Sequence, residues 1–217
     1  MKSTLPASQA VPAKRARRKD ARPSELLEAA LALFVEKGYA ATRVEEVAVR
    51  AGVSKGTLFL YFPSKQALFK AVVHENAGRH LHDAFREVAD YTGSSAELLR
   101  EFMRRWWTQY GGTPAAGLTK LIMSEATNFP DLAQYYQDEV VGPSHELLRR
   151  IVQRGIDRRE LRPVDLTLAA HLIVAPLVQL VTWRFSLAPC CPSAQMPDPL
   201  ALLDMHADMV VRGLRRE

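Results

Sequence analysis

Apolar residues recur three or four positions apart along most of this chain, which is the spacing of one face of an α-helix. In the first such segment Leu26, Ala30 and Leu33 share a face, and Gly38 can end the helix in a left-handed conformation. No segment alternates between apolar and polar residues for long enough to predict a β-strand. The pattern therefore predicts an all-α protein of about nine helices.

The most apolar predicted helix, residues 166–187, precedes an amphipathic helix, residues 200–214. Two-fold pairing would bury apolar faces that a monomer exposes, so we expect these helices to form a four-helix homodimer interface, with burial inside one subunit as the alternative. The charge-free run 166–183 is also marginally long enough to cross a membrane. Because His171 and Gln179 are costly in lipid, we expect a buried helix and a cytoplasmic protein with no membrane partner.

The first 22 residues differ from the rest, because they hold seven basic residues and one acidic residue without apolar periodicity. They account for the whole excess of a chain whose net charge is +5. We expect a flexible basic arm whose cluster, including Arg17 and Arg18, enters the minor groove of DNA. A solvated tail that adds only nonspecific affinity is the alternative. Two cysteines in 217 residues exclude a disulfide scaffold.

Residues 44–63 fit a helix-turn-helix. Ala48 is small where the two helices must cross closely, and Gly52 tolerates the positive φ that the turn requires. The positions expected to face the core hold Val47, Ala51, Val53, Leu58 and Tyr61. The outer face of the second helix holds Ser54, Lys55, Gly56, Thr57 and Leu60. The N-terminal end of that helix would point at DNA, where backbone N–H groups favour phosphate.

The charges near this motif agree with a surface that faces a polyanion. No Asp or Glu occurs from Val47 to His74, whereas Arg50, Lys55 and two further lysines do. Because a DNA-facing surface should exclude acidic groups, we expect the preceding glutamates, Glu45 among them, to lie on the side away from DNA. An ordinary helical hairpin with a solvated basic face remains the alternative.

The stretch 38–68, GYAATRVEEVAVRAGVSKGTLFLYFPSKQAL, resembles the N-terminal signature of TetR/AcrR-family regulators. A second, weaker similarity to regulators of efflux pumps covers residues 125–161. The resemblance implies a homodimer that binds a palindromic operator in double-stranded DNA, usually as a repressor. It also implies a C-terminal domain that binds a small molecule and releases DNA. We therefore divide the chain into a basic arm (1–22), a DNA-binding domain (23–68) and a helical domain for effector binding and dimerisation (69–217).

The resemblance also assigns roles to single residues. Thr42 holds the position of a helix-capping hydroxyl that touches phosphate, and Tyr61 and Lys65 hold those of a phosphate-binding tyrosine and lysine. The groove-facing start of the recognition helix corresponds to Ser54, Lys55, Gly56 and Thr57.

This chain departs from the family pattern at two places. Arg43 and Val44 replace a more usual hydroxyl-plus-apolar entry, and Phe59 and Leu60 replace a commoner Tyr-His or Tyr-Tyr pair. Leu60 cannot hydrogen-bond a base edge, so we expect it to touch a thymine methyl group or the sugar-phosphate wall. These departures leave the operator sequence open.

The middle of the chain is rich in large apolar and aromatic side chains, which favour an apolar or aromatic effector. The candidate pocket residues are Phe102, Met103, Trp106, Trp107, Leu118, Met123, Phe129 and Tyr136, with His145, His171 and Gln179 as polar partners. The alternative for any of them is plain core packing.

Other classes of function find less support in the sequence. No nucleophile elbow, Gly-rich phosphate loop or metal-spaced His/Glu set is present, so we expect no enzyme, no metal and no cofactor. A transcriptional activator or an effector-independent regulator is the closest alternative, and a membrane-associated helical adaptor is the more distant one. Cys190 and Cys191 are expected to be plain loop residues, with a thiol sensor as the alternative.

Overall fold

The computed structural model describes residues 23–191 and 196–216, and within these ranges the chain forms nine continuous helices and no β-strand. The all-α prediction is therefore confirmed. The first three helices are α1 (Pro23–Ala41), α2 (Val44–Arg50) and α3 (Lys55–Tyr61). Helix α4 joins Lys65–Val73, the π-helical turn His74–Gly78 and Arg79–Asp90. Helix α5 joins Ser95–Trp106 and the π-helical turn Trp107–Gly111.

Four helices complete the fold. Helix α6 opens with the 3₁₀ turn Pro114–Ala116 and continues as Gly117–Glu125. Helix α7 joins Pro130–Tyr136, the π-helical turn Gln137–Val141 and Gly142–Asp157. The last two are α8 (Leu166–Ser186) and α9 (Pro199–Leu214). The expected basic arm, with Arg17 and Arg18, lies outside the described residues.

Short polar side chains determine where several helices begin. The Ser54 hydroxyl accepts a hydrogen bond from the backbone N–H of Thr57 at 3.0 Å, which confirms the expected cap of α3. Ser64 caps α4 through the N–H of Ala67 in the same way. Each cap satisfies an N–H group that has no partner inside its own helix.

Pro143 lies at the middle of α7, immediately after the π-helical turn Gln137–Val141. Proline has no N–H, and its ring clashes with the carbonyl one turn earlier in a regular helix. A wider turn at this point lets α7 continue through the proline.

The core consists of two clusters of buried side chains that meet around Trp106. The first cluster runs from α1, α2, α3 and α4 into α6 and α7, and Phe34, Tyr39 and Phe69 form its aromatic centre. The second cluster unites the distal half of α4 with α5, α7, α8 and α9. The first cluster contains residues of both the N-terminal helices and the larger helical body. These two regions are therefore joined by one continuous set of packed side chains.

Among the described residues, α8 is the one helix whose length and composition would suffice to cross a membrane. Core helices of globular proteins pass the same test, and α8 packs against α7 and α6 here. Its most apolar stretch is only one-third buried within the chain, however. A large part of its apolar surface therefore faces outward.

Candidate DNA-binding surface and effector cavity

Helices α2 and α3 form the helix-turn-helix that the sequence predicts. Gly52 has a φ of +72°, and so the expected left-handed turn is present. Ala48 is buried where α2 faces α3, and Leu58 is fully buried beneath α3. Tyr61 is 42% exposed, and the expectation that it faces the core is wrong because it lies at the outer C-terminal end of α3.

The outer face of α3 combines apolar and basic groups. Leu60 is 81% exposed, the largest exposure of any large apolar side chain in the described residues, and Phe59 and Tyr61 are partly exposed beside it. The Lys55 ammonium lies 5.6 Å from the centre of the Phe59 ring. Such exposure of large apolar groups indicates a contact surface.

The hydroxyls at the start of α3 are engaged with each other. The oxygens of Ser54 and Thr57 are 2.8 Å apart, and Ser54 also accepts from the N–H of Thr57. Both side chains are half-buried, whereas Lys55 and Gly56 beside them are exposed. The free hydrogen-bonding capacity of this helix end therefore lies with Lys55 and with the backbone at Gly56.

An acidic residue lies directly beside this surface, contrary to the expectation from charge patterning. The Glu45 carboxylate forms an ion pair of 2.5 Å with the Lys55 ammonium, and this hydrogen bond holds the pKa of Glu45 below its ordinary value. Glu45 lies in the first turn of α2, and its side chain reaches the first residue of α3, beside the surface from which it was expected to face away. Arg50 is paired in the same way, with Glu36 at 2.9 Å.

Two residues expected to bind phosphate make internal contacts instead. Thr42 is 1% exposed, and its hydroxyl donates to the carbonyls of Leu33 and Gly38. Arg43 is the N-cap residue of α2, so the capping role expected for Thr42 is wrong. The Thr42 hydroxyl turns inward because the carbonyls at the end of α1 need a donor.

The Lys65 ammonium donates to three backbone carbonyls, at 2.8 Å from Tyr39, 3.1 Å from Ala40 and 3.0 Å from Thr42. It also lies 4.4 Å from the centre of the Tyr39 ring. Burial lowers the pKa of Lys65 and the charge of Glu125 opposes that shift. In this structure Lys65 therefore closes the end of α1.

A cavity of about 140 Å³ lies in the helical body, between α4, α5 and α7. Its apolar walls include Leu81 and Val88 from α4, Phe102 and Trp106 from α5, and Val140 from α7. Tyr110, Arg105 and Glu87 also line it, and the last two form an ion pair. An apolar space with a few placed polar groups is the usual form of a small-molecule site.

Of the eleven side chains expected to form an effector pocket, Phe102 and Trp106 line this cavity. The others lie elsewhere. Met103, Leu118 and Tyr136 are buried in the core, and Trp107 and Phe129 pack against it. Met123, His171 and Gln179 are exposed on the surface, and His145 is half-buried beside His171. The sequence could not separate pocket residues from core residues, because aromatic residues at helical spacing form the same pattern in both places.

Sequence reasoning missed the contribution of α4 to the cavity. Leu81, Ala84 and Val88 form one apolar face of a helix that is otherwise rich in charge. The amphipathic pattern of this segment shows which face turns inward. It does not show that a gap remains beside that face.

Three buried hydroxyls connect the cavity wall to α6 and α7. Tyr110, which lines the cavity, has its phenolic oxygen 2.9 Å from the Thr119 hydroxyl and 3.2 Å from that of Tyr136. Thr119 and Tyr136 are themselves 2.8 Å apart. Burial raises the pKa of both tyrosines, so both stay neutral near neutral pH.

The two histidines at the α7–α8 contact have ring centres 4.3 Å apart. Burial lowers the pKa of His145, and the neighbouring His171 and Arg149 lower it further. Cys190 and Cys191 are free and exposed beyond α8. Nowhere in the described ranges do three or more His, Cys, Asp or Glu side chains come together in a way that suits a metal ion.

Comparison with known proteins agrees with this architecture. Residues 26–72 match the family described as bacterial regulatory proteins of the tetR family. Residues 88–186 match the family described as the tetracyclin repressor-like C-terminal domain. The "HTH-type transcriptional repressor BdcR" of Escherichia coli (strain K12) is 32% identical over 137 residues, which cover 61% of this chain and 69% of that protein.

The "Fatty acid metabolism regulator protein" of Bacillus subtilis (strain 168) is 23% identical over 195 residues, covering 89% of this chain and 95% of that protein. Among solved structures, the regulator FadR from Bacillus subtilis in complex with stearoyl-CoA shares the fold, with a TM-score of 0.74 and 22% identity over 89% of this chain and all of that one. A TetR-family regulator from Mesorhizobium loti has a TM-score of 0.68 and 25% identity, covering 92% of this chain and 96% of that one.

The helix-turn-helix and the helical body behind it define a DNA-binding transcriptional regulator of the ligand-responsive class. The chain belongs to the TetR family of bacterial regulators. The resemblance that the sequence indicates is therefore confirmed.

Proposed function

We propose that this protein is a homodimeric repressor that binds a palindromic operator and releases it when a small apolar or aromatic molecule enters the cavity. The observation that carries the proposal is one packed core that joins the exposed outer face of α3 to the cavity region. The names of the relatives agree with it, because BdcR is described as a repressor and FadR was solved with a bound ligand. A cytoplasmic location follows, since the operator lies in bacterial DNA.

On this proposal the outer face of α3 contacts the operator. Lys55 approaches phosphate once Glu45 is displaced, and the Tyr61 hydroxyl is placed at the exposed end of α3. Leu60 is the main apolar contact and favours a thymine methyl group in the major groove. Ser54 and Thr57 set the orientation of α3 through the cap, with Gly56 and Arg43 next to the backbone of the duplex. The basic arm, with Arg17 and Arg18, adds contacts to the adjacent minor groove.

The homodimer uses α8 and α9. Leu168 and Leu172 on α8 are 63% and 70% exposed, and Met205 and Met209 on α9 are 67% and 68% exposed. Each pair is four residues apart, so each forms a stripe along one side of its helix. Two copies of this surface can bury one another in a four-helix arrangement, which would remove an apolar patch that a monomer leaves in water. On this basis dimerisation and effector binding are assigned to residues 69–217, as distinct from the basic arm and from residues 23–68.

The size of the cavity indicates a small effector. An engineered apolar cavity of roughly 150 Å³ accommodates benzene, and the cavity here has about 140 Å³. We propose a ligand with one aromatic ring or a short alkyl chain against Phe102 and Trp106. A negatively charged group on such a ligand would compete with Glu87 for Arg105.

The first experiment is enrichment of duplexes from a randomised library by the purified protein. The expected result is a palindromic sequence that binds two chains and binds more tightly than a scrambled duplex across a salt series. Leu60→Ala should weaken binding and relax base preference at one position in each half-site, at a cost of about 1–3 kcal/mol. Val49→Ala is the matched control, because Val49 is 65% exposed on α2.

No enrichment by the wild-type protein would contradict the proposal. Once a duplex has been enriched, small aromatic acids and short-chain acids are screened for its release, with the fluorescence of the tryptophans as an independent signal of binding. A ligand that changes the fluorescence but leaves the duplex bound would support an effector site without the release mechanism.

A further inference from the structure

The corner between α1 and α2, residues 38–42, is held by a carboxylate from the helical body. Gly38 has a φ of +84°, so the chain leaves the helix there and the next two N–H groups point outward. Glu125, the last residue of α6, accepts both of them. Its Oε1 lies 2.8 Å from the nitrogen of Tyr39, and its Oε2 lies 3.1 Å from the nitrogen of Ala40. Each oxygen of one carboxylate thus accepts one charge-assisted hydrogen bond.

The fit between the corner and Glu125 leaves no room for a larger residue at position 38. A Cβ atom on Gly38 would lie 2.5 Å from Oε1 of Glu125, closer than any ordinary contact. The positive φ and the close approach both require glycine here. Gly38 therefore does more than end α1, because it also brings the backbone onto Glu125.

The other side of the same corner is held by Lys65 from α4, which donates to the carbonyls of Tyr39, Ala40 and Thr42. The N–H groups of the corner thus donate to a carboxylate on α6, and its carbonyls accept from an ammonium group on α4. The two charges influence each other and the ring between them, since Glu125 raises the pKa of Tyr39 in addition to the larger effect of burial. A movement of α6 must pull this corner or break its hydrogen bonds.

Helix α6 is also connected to the wall of the cavity by a hydrogen bond. Its Thr119 is bonded to Tyr110, which lines the cavity. At its other end Gly117 packs so closely on Val35 of α1 that a Cβ atom would lie 2.5 Å from that side chain. Helix α6 therefore touches the cavity wall through one residue and α1 at both of its ends.

We propose that Glu125 is a positioning residue for DNA binding, whose carboxylate fixes the angle of the helix-turn-helix by fastening the α1–α2 corner to α6. The inference rests on the proposed operator recognition, and it assigns to Glu125 a role that none of the DNA-facing residues has. Glu125 itself does not contact DNA.

The test uses the full chain and the duplex that the wild-type protein enriches. Glu125→Gln keeps the size of the side chain but presents an N–H₂ group to one of the two backbone donors. Glu125→Asp keeps the charge but shortens the side chain by one methylene group, so that its two oxygens no longer reach both N–H groups. Each should weaken binding to the enriched duplex by about tenfold or more, as much as losing a base-pair contact, while binding to a scrambled duplex changes by less than about twofold.

Glu28→Gln is the matched control, because Glu28 is an exposed acid on α1 and its substitution removes the same charge. It should leave both affinities unchanged. Amide hydrogen exchange supplies a second readout, which should show faster exchange at Tyr39 and Ala40 in both test variants and unchanged protection around Leu33. A purely structural role would instead speed exchange throughout α1 and lower both affinities.

Binding of both test variants to the enriched duplex within about twofold of the wild-type protein would overturn the inference and leave the proposed function standing. A wild-type protein that enriches no sequence would overturn both. If Glu125→Gln fails to fold, Glu125→Asp decides the question, since it retains a carboxylate and its charge.

Discussion

Two neighbouring tyrosines on α7 are expected to differ sharply in their effect on stability. The Tyr136 hydroxyl lies 2.8 Å from that of the half-buried Thr119 and 3.2 Å from that of the buried Tyr110. The Tyr135 hydroxyl donates only to the Lys70 carbonyl, at 3.3 Å, in a partly exposed place. Substitution of either by phenylalanine removes one oxygen and leaves the ring.

The expected magnitudes follow from the hydrogen bonds that each substitution removes. Tyr136→Phe removes two of the three contacts in the buried group and leaves the bond between Tyr110 and Thr119. At about 1 kcal/mol for each bond, the free energy of unfolding should fall by about 2 kcal/mol. That loss corresponds to a melting temperature lower by about 4–8 °C for a chain of this length. Tyr135→Phe should cost about 0.5 kcal/mol, because water can replace its single long bond.

Thermal unfolding followed by circular dichroism measures the difference, with all three proteins at one concentration because dimerisation adds to apparent stability. Urea unfolding provides an independent value of the free energy. Equal losses of stability for the two variants, or a larger loss for Tyr135→Phe, would refute the hydrogen bonding of Tyr136 with Tyr110 and Thr119. A Tyr136→Phe protein as stable as the wild type would refute it as well.

Three further predictions concern the interfaces and pH. Lys55→Gln should reduce the slope of log K against log salt concentration by about two units, because each chain of the proposed dimer loses one phosphate contact. Glu45→Gln should tighten binding because it frees Lys55, and an unchanged slope for Lys55→Gln in a salt series would exclude a phosphate contact by Lys55. Leu172→Lys should abolish the proposed dimer and give a monomer in light scattering, since a charge would enter the apolar stripe. The free energy of unfolding should fall as the pH rises above about 10, because burial raises the pKa of Tyr110 and the folded state then holds more protons than the unfolded chain. Tyr110→Phe should show a smaller fall in urea unfolding.

The helix-turn-helix could be predicted because its requirements are local. Gly52 is needed for the positive φ of the turn, Ser54 for the cap of α3 and Ala48 for the close crossing, and all three are found in these roles. Each depends on backbone geometry within a few residues. The order and approximate extent of the nine helices follow from the same kind of local information.

The contacts of the long side chains could not be predicted in this way. Lys65, which was expected to bind phosphate, donates in this structure to the carbonyls at the end of α1, and Glu45, which was expected on the side away from DNA, pairs with Lys55. No local sequence signal marks Glu125, which accepts hydrogen bonds from two N–H groups 86 and 85 residues earlier in the chain. A long charged side chain can reach several partners, and only the packing of the helices selects one.

The sequence by itself determined the helical fold, the position of the DNA-reading helix and the apolar stripes of α8 and α9, because periodicity, caps and turn glycines act within one or two helical turns. The tertiary structure alone decided which apolar faces leave a cavity. Phe102 and Trp106 line it while Met103 between them is fully buried, a difference that depends on what packs opposite each side chain. It also decided that Glu125 meets the α1–α2 corner, since that contact exists only once α6 lies along α1.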